Sequence, residues 1–249
     1  MPTNTLQSWF ETPLGRYLLE RERAYLDEVT PDIFGFHALQ IGMPGVDLLR
    51  ESRITHKLHV ASVGSPEVFA RCHELPFATQ SIDLVVLPHV LEFAEEPHAV
   101  LREVDRVMMP EGRLVIVGFN PWSLWGLRSA LFTREEYPWN GRFLSLLRVK
   151  DWLALLGFDV SAGRLAGYAP PFDSEKLRRR FGFMEPAGDR WWAVGGAVYM
   201  LQAVKRVRGM RLITPAWLEK SARDKALVAS AKRQRHDAAK SATHLRIVK

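Results

Sequence analysis

The stretch that decides the fold runs from Glu74 to Asn120 and reads ELPFATQSIDLVVLPHVLEFAEEPHAVLREVDRVMMPEGRLVIVGFN. It contains two short apolar runs rich in β-branched residues, Ile82–Leu87 and Leu114–Val117. Such runs are typical of strands that are buried on both faces. Pro88 ends the first run. The stretch therefore predicts two strands in the interior of a sheet.

The segment between these strands predicts a helix. From Pro97 to Met108 apolar residues recur at helical spacing, and charged residues fill the opposite face. Pro110-Glu111-Gly112 predicts a helix stop and a turn. The apolar positions are Val100, Leu101, Val104, Val107 and Met108. Because two buried strands joined by a helix form a crossover, the strands are expected to be parallel and the fold class to be α/β.

This pattern of residues resembles the second half of a class I S-adenosylmethionine-dependent methyltransferase. It is most similar to the type 11 branch, which includes the ubiquinone and menaquinone C-methylating enzymes. The resemblance covers roughly Phe36 to Lys205. It implies a Rossmann-like, doubly wound, mostly parallel sheet of six to seven strands with an antiparallel last strand. It also implies S-adenosylmethionine as the cofactor. The predicted domains are a helical segment at 1–35, the methyltransferase-like domain at 36–205 and a basic tail at 206–249.

The first core strand is predicted over Phe36–Gly42, with a Gly42-Met43-Pro44-Gly45 turn and a short helix over Val46–Glu51. The resemblance implies that Gly42 and Gly45 border the methionine end of the cofactor. Glycine suits this role because a backbone without Cβ approaches a ligand closely and adopts positive φ. The acidic residue that the family carries before this turn is replaced by Gln40.

The second strand is predicted over Lys57–Val63. The family ends this strand in an acid that accepts hydrogen bonds from the ribose hydroxyls, and its place falls on Val63. Glu67 is the nearest carboxylate in the sequence. A further acid, which often meets the adenine amino group, would fall near Arg71 or Cys72. The cofactor motif is therefore degenerate.

Two further residues are implied in cofactor binding. Phe77, in the family's Leu-Pro-Phe, either packs on the adenine or fills the core. His89 follows the Ile82–Leu87 strand, at the end that faces the methyl donor in the family. The alternative is that His89 caps a helix while Glu92 is solvated. No catalytic residue can be named, and no Cys/His spacing indicates a metal site.

Other segments complete the predicted domain. A helix over 13–29 either covers the cofactor or only packs on the sheet; its apolar face comprises Leu14, Tyr17, Leu18, Tyr25, Leu26 and Val29. Aromatic residues near 122–139 either line an acceptor pocket or form a satellite cluster under a loop. The remaining predicted elements are helices at 122–131, 149–156 and 174–181, a strand at 158–164 and a last strand within 191–204.

Composition indicates a globular protein: 249 residues, 47% hydrophobic and 25% charged. The single cysteine excludes an intramolecular disulfide and fits a reducing compartment. The N-terminus shows no signal peptide, and no apolar run approaches the ~20 residues that span a bilayer. We therefore expect a cytoplasmic protein without a membrane span.

The net charge of +6 is unevenly distributed. Residues 205–249 hold 13 Lys+Arg and 3 Asp+Glu, whereas the rest of the chain has more acidic than basic groups. A basic segment of low hydrophobicity is usually disordered, and it attracts phosphates without sequence selectivity. The tail therefore predicts weak nucleic-acid contact.

Three functional hypotheses follow. The first is methyl transfer from S-adenosylmethionine to a small-molecule acceptor. This reaction mainly requires alignment of the acceptor, so the lack of an acid–base signature does not count against it. The second is a non-catalytic methyltransferase-like binding or regulatory protein, motivated by the departures at Gln40, Val63 and Arg71/Cys72. The third is nucleic-acid binding through the tail.

Overall fold

The computed structural model describes residues 5–131, 136–172, 176, 180–191 and 194–207. The chain divides into two units, Met1–Val207 and Arg208–Lys249, and the fold below concerns the first. The basic tail predicted at 206–249 and most of the helix predicted at 174–181 lie outside the described residues.

Seven strands and six helices are described. The strands are β1 (His37–Ile41), β2 (His56–Ala61), β3 (Val68–Phe69), β4 (Ile82–Pro88), β5 (Met108–Phe119), β6 (Phe158–Ala166) and β7 (Val198–Lys205). The helices are α1 (Leu6–Phe10), α2 (Pro13–Val29), α3 (Pro97–Val107), α4 (Leu124–Leu131), α5 (Leu146–Leu155) and α6 (Met184–Trp191). A 3₁₀ turn, Thr30–Asp32, follows α2.

The seven strands form one sheet in the order β3-β2-β1-β4-β5-β7-β6. Strands β1 to β5 pair in parallel, and Leu39 of β1 lies between Leu58 of β2 and Val85 of β4. Strand β7 runs antiparallel between β5 and β6. The predicted fold class, a mostly parallel sheet with an antiparallel last strand, is therefore confirmed.

Alternate residues of the central strands enter two separate cores, as expected for strands buried on both faces. Leu84 and Val86 of β4 pack in the core that includes the buried residues of α1 and α2. Val85 and Leu87 pack on the opposite face, against α3 and α5. The carboxyl ends of β1, β2, β4 and β5 consequently meet at one edge of the sheet, where ligands bind in open α/β folds.

Two local predictions were wrong. Residues 46–51 form no helix, because the Gln40 side chain bonds the backbone of this loop instead of leaving it free for helical hydrogen bonds. Pro110-Glu111-Gly112 was predicted to lie between α3 and the next strand. These residues instead belong to β5, at a point where its register against β4 shifts and Glu111 adopts a φ of 63°.

The described helices include none that is long and apolar enough to cross a membrane.

Candidate functional site

The loop after β1 is organised by one buried amide. Nε2 of Gln40 donates to the carbonyl oxygens of Gly42, Met43 and Val46 at 3.3, 3.2 and 2.7 Å. Its Oε1 accepts from the backbone N–H of Leu48 at 2.9 Å. Gln40 is 0% exposed, so these bonds fill its hydrogen-bonding capacity away from water. Gln40, which stands where the family carries an acid, therefore fixes the conformation of this loop.

The predicted cofactor residues Gly42 and Gly45 lie on this loop. Gly42 has a φ of 87°, which disfavours any residue with a side chain, and a Cβ there would lie 3.0 Å from Val90. A Cβ on Gly45 would overlap the side-chain amide of Gln7, which belongs to α1. The short N-terminal helix thus lies directly over the glycine loop.

Several contacts fix α1 in this position. Thr5 and Ser8 form a capping box at its start, which satisfies otherwise unpaired N–H groups. Gly15 of α2 allows the two helices to pack closely, because a Cβ there would strike the backbone of Trp9. Trp9 is buried and lies edge-on to Phe119, with ring centroids 6.1 Å apart. The helix is consequently anchored on the carboxyl end of β5.

The carboxyl end of β2 offers no family carboxylate. Val63 is 65% exposed. Glu67, the nearest acid in sequence, accepts a hydrogen bond from the backbone N–H of His59 at 3.0 Å. Cys72, near the predicted adenine position, is half-buried against the core, and burial raises the pKa of its thiol. Val63 therefore supplies no carboxylate after β2.

His89 lies at the end of β4 with a φ of 51° and is fully buried. Its Nε2 is 2.9 Å from Oε1 of Glu22, and its Nδ1 is 3.4 Å from Oε1 of Glu92. Burial by itself lowers the pKa of His89, but the two carboxylates outweigh it and raise this pKa to about 10. The imidazole is accordingly protonated at neutral pH, between two acidic side chains.

Glu92 is buried, so the alternative in which it is solvated is wrong. Its Oε1 accepts from the backbone N–H of Phe119 at 2.6 Å, at the last residue of β5. The hydroxyl of Tyr199 and this Oε1 both lie within 3.0 Å of the point that a Cβ on Gly118 would occupy. Burial and the nearby Glu92 raise the pKa of Tyr199 well above its ordinary value.

This buried cluster has unused hydrogen-bonding capacity within the described part of the chain. One polar atom on each of four side chains has no hydrogen-bond partner there: Glu22 Oε2, His89 Nδ1, Glu92 Oε2 and Tyr199 Oη. The cluster places two carboxyl groups and one imidazole beside the carboxyl ends of β4 and β5.

Phe77 and the aromatic residues near 122–139 do not belong to this buried cluster. Phe77 is half-buried and packs against the core that contains β4 and α3, as its alternative interpretation predicted. Trp125 and Trp139 are buried in the core on the other face, with ring centroids 5.9 Å apart. Trp122, by contrast, is largely exposed. Trp125 and Trp139 therefore belong to the main core of that face and form neither an open aromatic pocket nor a separate satellite cluster.

A groove of about 310 Å³ lies under the N-terminal half of α5. Leu146 and Lys150 of the helix form one wall, and β6 and β7 form the other. Tyr199 lines this groove, and its hydroxyl lies beside Glu92.

The structure brings Gly42, Gly45 and His89 to one edge of the sheet and leaves Phe77 in the core packing. Three further residues at this edge, Gln7, Glu22 and Tyr199, carried no recognisable signal in the sequence. Glu22 sits among alternating Arg and Glu residues that predict a solvated helix face, and Tyr199 lies within an apolar run.

Comparisons with known proteins bear on this geometry. The family described as "Methyltransferase domain" matches residues 43–116. The uncharacterized protein YafS of Escherichia coli is 38% identical over 155 residues, covering 61% of this chain and 65% of the relative. A malonyl-[acyl-carrier protein] O-methyltransferase of Halorhodospira halophila is 40% identical over 91 residues, 36% of this chain and 31% of that protein. The chain thus spans less than two thirds of these relatives.

A solved structure shares the architecture. A methyltransferase from Thermotoga maritima, dependent on S-adenosylmethionine, aligns with a TM-score of 0.60 at 18% identity, covering 80% of this chain and 93% of that one. The strand order and this alignment show the fold of the class I S-adenosylmethionine-dependent methyltransferases, and residues 43–116 match the methyltransferase-domain family. The narrower assignment to the ubiquinone and menaquinone branch stays a prediction.

S-adenosylmethionine is the cofactor of this class, and the loop after β1 fits it. The loop backbone carries no side chain at Gly42 and Gly45, which flank Met43 and Pro44. The three atoms nearest to a Cβ on Gly45 all belong to the side-chain amide of Gln7. The fit is incomplete at the end of β2, where Val63 replaces the carboxylate.

Proposed function

We propose that this protein transfers the methyl group of S-adenosylmethionine to a small-molecule acceptor. The observation that carries this proposal is the glycine loop after β1, which lies beside the buried acidic cluster at the end of β4. Gly42 is the link between them, since a Cβ on it would meet Val90, the residue after His89.

Each part of the site has a role in this proposal. The backbone of Gly42 and Gly45 binds the methionine end of the cofactor, because glycine permits close approach. When bound, the cofactor supplies a methyl group already activated by its sulfonium. The buried Glu22–His89–Glu92 cluster lies at the same end of the sheet and keeps water away from this part of the site. The chain's own residues therefore bind and orient the reacting groups.

The groove under α5 supports a small-molecule acceptor. Its volume of about 310 Å³ lies at the lower end of the range for small-molecule sites. Its lining combines aliphatic side chains with Lys150 and Tyr199. Malonyl-[acyl-carrier protein] is a rational first acceptor to test, since the Halorhodospira halophila relative is named for its methylation.

Calorimetric titration with S-adenosylmethionine and S-adenosylhomocysteine tests the cofactor. Because the ribose lacks an acidic partner at Val63, we expect a micromolar Kd, corresponding to about −8 kcal/mol. Absence of binding at millimolar concentration would overturn the proposal. With bound cofactor established, transfer of a labelled methyl group into the small-molecule fraction of an extract, or onto the malonyl group of purified malonyl-[acyl-carrier protein], rather than into other proteins or nucleic acid, tests the acceptor class.

The missing carboxylate at Val63 favours a second candidate, a non-catalytic binding or regulatory protein. Loss of a charged hydrogen-bonding partner costs on the order of 1.5–3 kcal/mol. This candidate takes the lead if neither S-adenosylmethionine nor S-adenosylhomocysteine binds at millimolar concentration, or if the cofactor binds but no acceptor fraction is labelled. Nucleic-acid binding through the tail is a separate proposal, and it predicts binding that disappears when residues 206–249 are deleted.

A further inference from the structure

The cofactor site lacks a partner for the ribose at the expected place. In dinucleotide sites an acidic side chain at the end of the second strand binds the ribose hydroxyls. Here that place falls on Val63, which is apolar and exposed. Glu67, the nearest carboxylate in the sequence, already accepts a hydrogen bond from the backbone N–H of His59 at one of its two oxygens. Another polar group must serve if the ribose is to be held.

The side-chain amide of Gln7 lies between the loops that follow β1 and β2. A Cβ placed on Gly45, after β1, would overlap this amide, and the amide Oε1 is 3.3 Å from that point. The same Oε1 is 4.0 Å from the point that a Cβ on Gly64, after β2, would occupy. Gly64 has a φ of 82°. The amide is therefore flanked by two glycines at the carboxyl ends of neighbouring strands.

The helix that carries Gln7 is held in place, whereas the Gln7 amide forms no hydrogen bond with the part of the chain that the structure describes. The backbone of α1 is fixed by the capping box of Thr5 and Ser8, and by the burial of Trp9 and Phe10. The amide itself keeps one acceptor and two donors available. A polar side chain that is anchored through its helix and left without a partner is suited to binding a ligand with hydroxyl groups.

We propose that the Gln7 amide binds the ribose hydroxyls of the cofactor and replaces the carboxylate that β2 lacks. This inference rests on the proposed function. Oε1 accepts a hydrogen bond from one hydroxyl, and Nε2 donates to the oxygen of the other. The N-terminal helix thereby becomes part of the nucleoside site as well as its cover.

The test compares Gln7→Leu and Gln7→Ala with the wild-type chain. Leucine keeps the volume over Gly45 and removes the hydrogen bonds, whereas alanine removes both. The probes are S-adenosylhomocysteine and its 2′,3′-dideoxyribose analogue, titrated by calorimetry. Since a neutral hydrogen bond contributes about 0.5–1.5 kcal/mol, we expect both variants to bind S-adenosylhomocysteine about three- to tenfold more weakly. Neither variant should lose affinity for the dideoxy analogue.

Glu11→Ala is the matched control, because Glu11 is exposed on the same segment and its variant should bind both probes as the wild type does. Thermal melting checks that each variant is folded. If the wild type binds S-adenosylhomocysteine and the Gln7 variants bind it equally well or more tightly, Gln7 is only a cover and this inference fails alone. An equal loss with the dideoxy analogue also overturns it. If the wild type binds neither probe, the proposed function itself fails.

Discussion

The Nε2 atom of His89 lies 2.9 Å from Oε1 of Glu22, and both side chains are 0% exposed. Glu22 belongs to α2 and His89 to the end of β4, so the pair joins the N-terminal helix to the centre of the sheet. Glu92 adds a second carboxylate 3.4 Å from the ring. Removing one member of a buried ion pair leaves the other charge uncompensated, so each residue depends on its partner.

Stability is expected to depend on pH through this pair. The pKa of His89 is raised from 6.5 to about 10 in the folded chain. Its contribution is therefore fully present below about pH 6.5 and is lost as pH rises through 10. The free energy of unfolding, measured by chemical denaturation, should fall between pH 7 and pH 10. Tyr199 should stay protonated through this range, because burial and Glu92 raise its pKa.

Glu22→Gln should reduce both the stability and its pH dependence. Loss of one partner of a buried pair costs about 3–5 kcal/mol at neutral pH. Without the Glu22 charge the pKa of His89 should fall, so the alkaline decline should become shallower. Glu28→Gln is the control on the same helix, since Glu28 is exposed and pairs with Arg164 at the surface. Parallel pH profiles for wild type and Glu22→Gln would contradict the assignment.

The Tyr199 hydroxyl gives a second test of the cluster. It is buried and has no hydrogen-bond partner among the residues that the structure describes. Tyr199→Phe should therefore leave the free energy of unfolding unchanged or raise it by up to about 1 kcal/mol. Tyr25→Phe should lower it by about 1 kcal/mol, because the Tyr25 hydroxyl accepts from Gln202 at 2.9 Å. A clear loss of stability in Tyr199→Phe would mean that the hydroxyl has a partner.

Local sequence patterns predicted the central fold well. The helix expected at 13–29 is α2, Pro13–Val29, and the strand expected at 82–87 is β4, Ile82–Pro88. Both succeed because burial imposes a regular spacing of apolar residues, which is visible without knowledge of tertiary contacts. Helix α1 was missed because its five residues are too few to show a helical period.

The site was less predictable, because it depends on contacts between distant residues. Glu22 and His89 are 67 positions apart, and no local pattern shows that one charge on a helix is buried. The helix predicted at 46–51 was wrong because the Gln40 amide bonds backbone groups of this loop up to eight residues away. Side chains that replace backbone hydrogen bonds carry no periodic signal.

Cofactor binding should depend on Gly42. Gly42→Val introduces a β-branched side chain at a φ of 87°, and its Cβ would lie 3.0 Å from Val90. Calorimetry should detect no binding of S-adenosylhomocysteine. Gly157→Ala is the control, since Gly157 has a φ of 84° but precedes β6, where its Cβ would meet only Arg206 at 3.4 Å. Comparable binding by Gly42→Val and the wild type would remove this loop from the cofactor site.

The basic tail should contribute little to stability. Deletion of residues 220–249 should leave the thermal midpoint nearly unchanged, because a segment of low hydrophobicity buries little apolar surface. The same deletion should abolish any salt-dependent affinity for nucleic acid. A midpoint lowered by several degrees would show instead that the tail packs as a structural element.

Supplying the missing carboxylate should strengthen cofactor binding. Val63 is 65% exposed, so Val63→Asp places a charge at the end of β2 without burying it. If this position faces the ribose, the new carboxylate accepts hydrogen bonds from its hydroxyls. A charged hydrogen bond contributes about 1.5–3 kcal/mol, which corresponds to a roughly ten- to hundredfold lower Kd for S-adenosylhomocysteine. Val207→Asp is the control, because Val207 is also exposed and follows β7 at the opposite edge of the sheet. An unchanged affinity in Val63→Asp would show that the ribose does not lie at the end of β2.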